Sequence, residues 1–185
     1  LSAAKGCEWS IRAFAQVAGK LHDCQLHIYG DGPLREQLEK LVDKLGLVNR
    51  VIFHGWVDER QLAEVLPGYD VFLQHSLDKE GFGVSIVEAA ACELPVVVTP
   101  VSGILEHVVP GKTGLCVPEK DERAMASAML KLATDPNLRR RFGQAGRTRA
   151  VHLYDSSVQT YRLEQVLLGV TGRAIARMRE RTVSS

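Results

Sequence analysis

Residues 78–98 read DKEGFGVSIVEAAACELPVVV. Two glutamates, Glu80 and Glu88, bracket a Gly81-Phe82-Gly83 turn and the start of an apolar run. Glycines there let the backbone turn sharply or come close to a bulky group. A helix is predicted over about 84–92 and a strand, PVVVT, at 95–99. The helix start has no Ser, Thr, Asp or Asn at the expected N-cap, so its first amides need another acceptor. A phosphate would supply one and would complement the helix dipole. Glu88 follows Val84 by one helical turn, so both share a face toward the carboxyl ends of the strands. A carboxylate there can accept hydrogen bonds from a ribose diol. Glu80 can reach a second hydroxylated group beyond the phosphates. Either acid alone reads as a solvated side chain; the spacing, the glycines and the missing cap together favour a ligand.

Strands and helices alternate on both sides of this stretch. LHIY (26–29), VIFHG (51–55), YDVFLQ (69–74) and TGLCV (113–117) are predicted strands. Leu34, Leu38, Leu41, Val42 and Leu45 recur at helical spacing, with Pro33 at the start and Gly46 at the end. Trp9, Phe14 and Val17 mark an earlier core-facing helix, and further helices are predicted at about 59–66, 121–134, 136–150 and 155–168. The strands are apolar almost throughout, as strands buried on both faces are. The expected fold class is therefore α/β, a Rossmann-like parallel sheet with helices on both faces. The expected donor-type domain is 1–168, with carboxyl-terminal helices from about 121. A polar tail, 169–185, is expected to be poorly ordered beyond any helix it forms.

Such sheets bind ligands beyond the carboxyl ends of their strands. The loops there are GDGP (30–33), GWVDE (55–59), HSLDKEGFG (75–83), TPVSG (99–103) and the turn at Lys5-Gly6. The chain has 185 residues, 45% hydrophobic and 24% charged, with a net charge of +1, so it gives no reason to expect nucleic acid as partner. Cys7, Cys24, Cys92 and Cys116 are scattered without a CxxC pair and are read as reduced thiols of a cytoplasmic protein. No apolar run approaches the roughly 18 residues of a membrane span.

The quoted residues resemble a family. EGFGVSIVE is similar to the paired-glutamate signature of retaining glycosyltransferases of the GT-B fold, family 4. KG at 5–6, LHIYGDGPLREQLEKL, VIFHGWV, YDVFLQHSLDKEGFG, VEAAACELPVVVT, SGILEHV and GKTGLCVP stand in the order that family shows. The resemblance covers about residues 1–150. It matches the carboxyl-terminal, nucleotide-sugar-binding half of such enzymes, without the amino-terminal half that holds most of the acceptor site.

The resemblance implies roles. Glu80 would contact hydroxyls of the donor sugar, and Glu88 the ribose. Amides of Gly81, Phe82, Gly83, Val84 and Ser85 would receive the sugar and diphosphate. Lys5 would neutralise the diphosphate, and an arginine that usually accompanies it would fall just before Leu1. Trp56 and Val57 would line the base, with Asp58 beside them, and Gly30 lies in the loop facing the same end. The implied donor is a nucleoside-diphosphate sugar, UDP- or GDP-linked, with no cofactor and no metal. The implied acceptor is a glycan or lipid-linked molecule held by the absent half, with peripheral contact at the cytoplasmic membrane face. Two alternatives stand beside a transferase half: a non-catalytic nucleotide-sugar-binding module, or another GT-B enzyme such as an epimerase.

The sequence departs from the family at Glu93 and Ser102, where glycine is usual, and at Gln74-His75-Ser76, where a Pro-Ser pair is common. His75 is a candidate proton donor, more often a binder or bystander; His54 is expected in the core or at an edge. RRRFGQAGRTR (139–149) holds five arginines and no acid. It is read as a solvated helix pair, with contact to anionic lipid as the alternative. Leu1 reads as the end of a first central strand, whose absence would leave a slot between two strands and destabilise the isolated chain.

Overall fold

The computed structural model describes residues 1–77, 82–101 and 103–183, with 170–183 described by backbone alone. One compact unit spans Leu1–Arg149 and a second begins at Ala150. In chain order the elements are α1 (Cys7–Ala18), β1 (Leu26–Tyr29), α2 (Arg35–Lys44), β2 (Val51–Gly55), α3 (Glu59–Val65), β3 (Phe72–Gln74), α4 (Val84–Ala91), β4 (Val96–Val98), β5 (Gly114–Cys116), α5 (Glu122–Thr134), α6 (Pro136–Tyr154) and α7 (Ser156–Val183). Among the described residues, the only strands predicted from the apolar runs are also the strands observed.

Among the described residues the named strands pair in parallel, as the alternation of strand and helix requires. β1 pairs with β2, Leu26 opposite Val51; β3 pairs with β4, and β4 with β5, Val97 standing between Leu73 and Leu115. The sequence predicts a single sheet. The structure has two, because among the described residues β1 pairs only with β2 and β3 only with β4. The hydroxyls of Tyr29 and Tyr69 meet at 2.6 Å.

β4 shows why its run is wholly apolar. Val97 faces a core built with Ile11, Phe14 and Val17 of α1, Leu38 and Val42 of α2, and Met125, Met129 and Leu132 of α5. Val96 and Val98 face the other way, toward Ile86 and Ala89 of α4 and toward Leu66, Ile104 and Val108. The period of two in a strand sends neighbours to opposite faces, and helices cover both, so all three valines are buried. Trp9, expected in the core, is only half-buried at the edge of α1.

Four described helix starts are fixed by aspartates, Asp135 before α6 and Asp155 before α7 among them. Asp121 accepts from the Ala124 amide at the head of α5. Asp58 and Gln61 form a reciprocal capping box at the head of α3. The turn after α4 holds Glu93 at φ 61°, a left-handed conformation that a glycine would take without strain. The last helix is predicted to end near 168; α7 runs to Val183, through the helix-favouring Arg, Ala and Met of its final turns.

Candidate functional site

The carboxyl ends of the strands are brought together by short backbone contacts. Lys5 closes a 3-10 turn, Ala3–Lys5, and Gly6 follows at φ 59°. A Cβ at Gly6 would overlap the His75 carbonyl, so only glycine lets this turn lie against the loop after β3. The Leu77 amide donates to the Ala4 carbonyl at 2.8 Å and ties the two segments. Lys5 is thereby placed near the head of α4, far from it in sequence.

α4 begins at Val84 behind Gly83, which adopts φ 72° and offers no side chain to cap the helix. The first amides of a helix lack acceptors within it, and here they open onto a cleft. Lys5, Val57, Asp58, Glu59, Leu62, Gln74, Gly83, Val84, Ser85 and Glu88 line that cleft, which has a volume of ≈ 440 Å³. This falls in the size range of small-molecule sites.

The two sides of the cleft differ in charge. Lys5 and the head of α4 make one side electropositive. Ser85 Oγ donates to Gln74 Oε1 at 2.9 Å, which fixes Gln74 on the floor. The other side carries Asp58, Glu59 and Glu88. Asp58 accepts from the Gln61 amide at 2.8 Å and is held by its capping duty. The Glu88 carboxyl is pushed above the usual range, first by burial and then by the charge of Glu59. The cleft therefore offers a seat for an anion next to a wall of acceptors for hydroxyl or N–H donors.

Of the residues singled out from sequence, Lys5, Val57, Gly83, Val84, Ser85 and Glu88 come together here, with Asp58. Gly30, Trp56 and Phe82 do not line the cleft. The Gly30 amide donates to the Gly55 carbonyl at 2.6 Å and links the ends of β1 and β2. Trp56 is 75% exposed. Phe82 packs its ring on His107, centroids 4.6 Å apart. Glu80, Gly81 and Ser102 lie outside the described residues. Sequence reasoning missed Gln74, Glu59 and Leu62. Gln74 ends an apolar strand, where a polar residue carries no signal of its own; Glu59 and Leu62 share a face at helical spacing.

His75 does not line the cleft. It is 1% exposed and its Nε2 accepts from the Lys120 amide at 3.2 Å. Burial pushes its imidazole below the usual histidine range. This is a structural acceptor, not a proton donor at the site. His54 is exposed on β2, with Nε2 2.8 Å from His27 Nδ1 and its ring stacked on Tyr29. Three of the five arginines in 139–149 bind the protein itself. Arg139 pairs with Asp70 at 3.2 Å and donates to the Leu132 and Ala133 carbonyls. Arg147 donates to the Ala91 carbonyl, and Arg149 to those of Glu106 and His107. That disfavours the lipid-contact alternative for this segment. Among the described residues no helix is long and apolar enough to cross a membrane.

The family model for glycosyl transferases group 1 matches residues 1–149. The chain belongs to that family. The match spans every residue that lines the cleft. A GDP-mannose-dependent α-(1-6)-phosphatidylinositol monomannoside mannosyltransferase of Mycolicibacterium smegmatis is 33% identical over 171 residues, 89% of this chain and 45% of its own. Sucrose-phosphate synthase from Thermosynechococcus elongatus superposes with a TM-score of 0.80 at 31% identity, over 93% of this chain and 44% of that one. Anabaena HepE, solved with UDP, gives a TM-score of 0.81 at 25% identity, over 91% of this chain and 46% of its own. The chain thus spans less than half the length of these relatives. It shares with them an α/β fold of parallel sheets flanked by helices.

Proposed function

We propose that the chain is the donor-binding half of a retaining, metal-independent glycosyltransferase that takes a sugar from a nucleoside-diphosphate sugar. The acceptor is a glycan or lipid-linked molecule. One observation carries this reading: Lys5, the uncapped head of α4 and Glu88 line the same cleft. The diphosphate sits at Lys5 and the amides of Val84 and Ser85. Glu88 accepts from the ribose hydroxyls, and the base lies along Val57 and Leu62.

Transfer breaks the bond between the anomeric carbon and the β-phosphate oxygen. The electron pair leaves with the diphosphate, the sugar becomes oxocarbenium-like, and the acceptor hydroxyl oxygen bonds the anomeric carbon as its proton passes to the departing diphosphate. Lys5 and the amides face the oxygen that gains charge, which lowers the barrier. Retention, and a sugar contact by Glu80, rest on the family resemblance; Glu80 is assigned no nucleophilic role. The named relative uses GDP-mannose and HepE was solved with UDP, so the base is a matter for measurement.

Calorimetric titration of the intact protein with UDP, GDP and ADP tests the reading. One diphosphate should bind, unchanged by EDTA, and Lys5→Ala and Glu88→Ala should each weaken it about tenfold or more, the scale of charge-assisted hydrogen bonds. A folded protein that binds none of the three would sink the proposal. Binding without sugar release from any nucleoside-diphosphate sugar would instead indicate a non-catalytic module.

A further inference from the structure

We propose that Arg149 and His107 form a positioning relay that sets the turn before α4, and with it the direction of the amides that receive the diphosphate. The proposal rests on the donor-site reading above. Neither residue lines the cleft, so neither is a catalytic residue.

The relay starts on α6. Arg149 Nη2 donates to the Glu106 carbonyl at 2.7 Å, and Nε to the His107 carbonyl at 3.1 Å. These carbonyls end the 3-10 turn Ile104–Glu106, where helix geometry leaves acceptors without partners. A guanidinium donates in a fixed planar fork, so two bonds from one group set orientation as well as distance. The clamped backbone carries the His107 side chain, which is 7% exposed.

The imidazole then meets the turn. Its ring centroid lies 4.6 Å from that of Phe82, at 59°. Its Cδ2 stands 3.6 Å from the point a Cβ on Gly83 would occupy. His107 therefore backs both residues that lead into α4. Gly83 needs that support, because it has no side chain with which to anchor its φ of 72°. Phe82 is 48% exposed and is held from the His107 side. A second arginine holds the far end of the same helix: Arg147 donates to the Ala91 carbonyl at the last residue of α4. α6 thus fastens α4 at both ends, directly at one and through His107 at the other.

The test compares two ligands on the intact protein: the nucleoside diphosphate that the wild type binds, and its parent nucleoside. Arg149→Met and His107→Ala should weaken the diphosphate about tenfold, below the about 100-fold that a 1 Å misplacement can cost. Nucleoside affinity should stay within about twofold of wild type, since Glu88, Val57 and Leu62 are untouched. His107→Phe keeps a ring against Phe82 and should restore diphosphate affinity; Arg149→Lys keeps a donor and should restore it in part. Should His107→Ala fail to fold, His107→Gln removes the ring and should give the same split. An unchanged ratio of the two affinities in a folded His107→Gln or Arg149→Met protein overturns the relay, as does equal weakening of both ligands. Wild-type protein that binds no nucleoside diphosphate overturns the donor reading, and the relay with it.

Discussion

Glu88 shares the cleft with another acid, Glu59, and its carboxyl is pushed up by burial and by that neighbour. A raised folded value means that the protonated form is favoured in the fold. The associated stability is present at low pH and is lost as pH rises through the folded value. Glu88→Gln removes the charge, so the variant should melt higher than wild type at neutral and alkaline pH. The gain should fade as the pH is lowered into the carboxylate range. On the proposed donor-site reading, the same change should weaken nucleoside diphosphate binding about tenfold, because the ribose hydroxyls would lose a charged acceptor. Melting curves across pH, with one titration at neutral pH, check both parts; a variant less stable at every pH would contradict the electrostatic account. Gly83→Ala tests the turn. The added Cβ would meet Ile86 at 3.4 Å and His107 at 3.6 Å, so crowding is mild and the φ of 72° dominates. Denaturant unfolding should show a loss of about 1–2 kcal/mol. These two residues were legible in the sequence because a carboxylate at helical spacing and a glycine before an uncapped helix each carry a physical meaning. Gln74 was not, because a polar residue at the end of a short strand looks the same whether it meets water or a ligand.

At the scale of elements, the aspartate caps of α3 and α5 do the same local work in different places. Asp58 heads α3 at the cleft, and Asp121 heads α5 on the other core. Replacing either with alanine should cost about 1 kcal/mol in unfolding experiments. Only Asp58→Ala should also weaken the nucleoside diphosphate, since α3 presents Glu59 and Leu62 to the cleft. Equal losses of affinity in both variants would show that the cleft responds to overall stability and not to α3. The apolar runs fixed the strands in advance to within a few residues, because a strand buried on both faces has little choice of composition. The start of β3 was misjudged: Tyr69, Asp70 and Val71 precede it, and the Tyr69 amide closes a turn onto the Leu66 carbonyl. The role of α6 was not legible either. A run of arginines without acids reads as a solvated face, and its carbonyl partners at Ala91, Glu106 and His107 are far away in sequence.

At the scale of the molecule, the cleft is assembled from segments scattered along the first unit: Lys5, Val57 to Leu62, Gln74, and Gly83 to Glu88. Sequence shows each segment but not that β1 and β3 belong to separately paired sheets, since pairing is a long-range choice that local pattern leaves open. A ligand that touches all four segments must stabilise them together. At 100 times its dissociation constant, a nucleoside diphosphate should add about 2.7 kcal/mol to the folded state. For a chain of this size that corresponds to a rise of roughly 5–11 °C in Tm. Hydrogen exchange should locate the effect. Amides near Lys5, at the head of α3 and along α4 should all slow on adding the diphosphate, although Lys5 and α4 lie far apart in sequence. The amides of 156–168 in α7, whose Tyr161, Leu163, Val166 and Leu167 stand exposed outside that unit, should not change. Protection confined to one segment would mean that the ligand touches only one wall, and protection centred on α7 would place the binding site outside the cleft altogether.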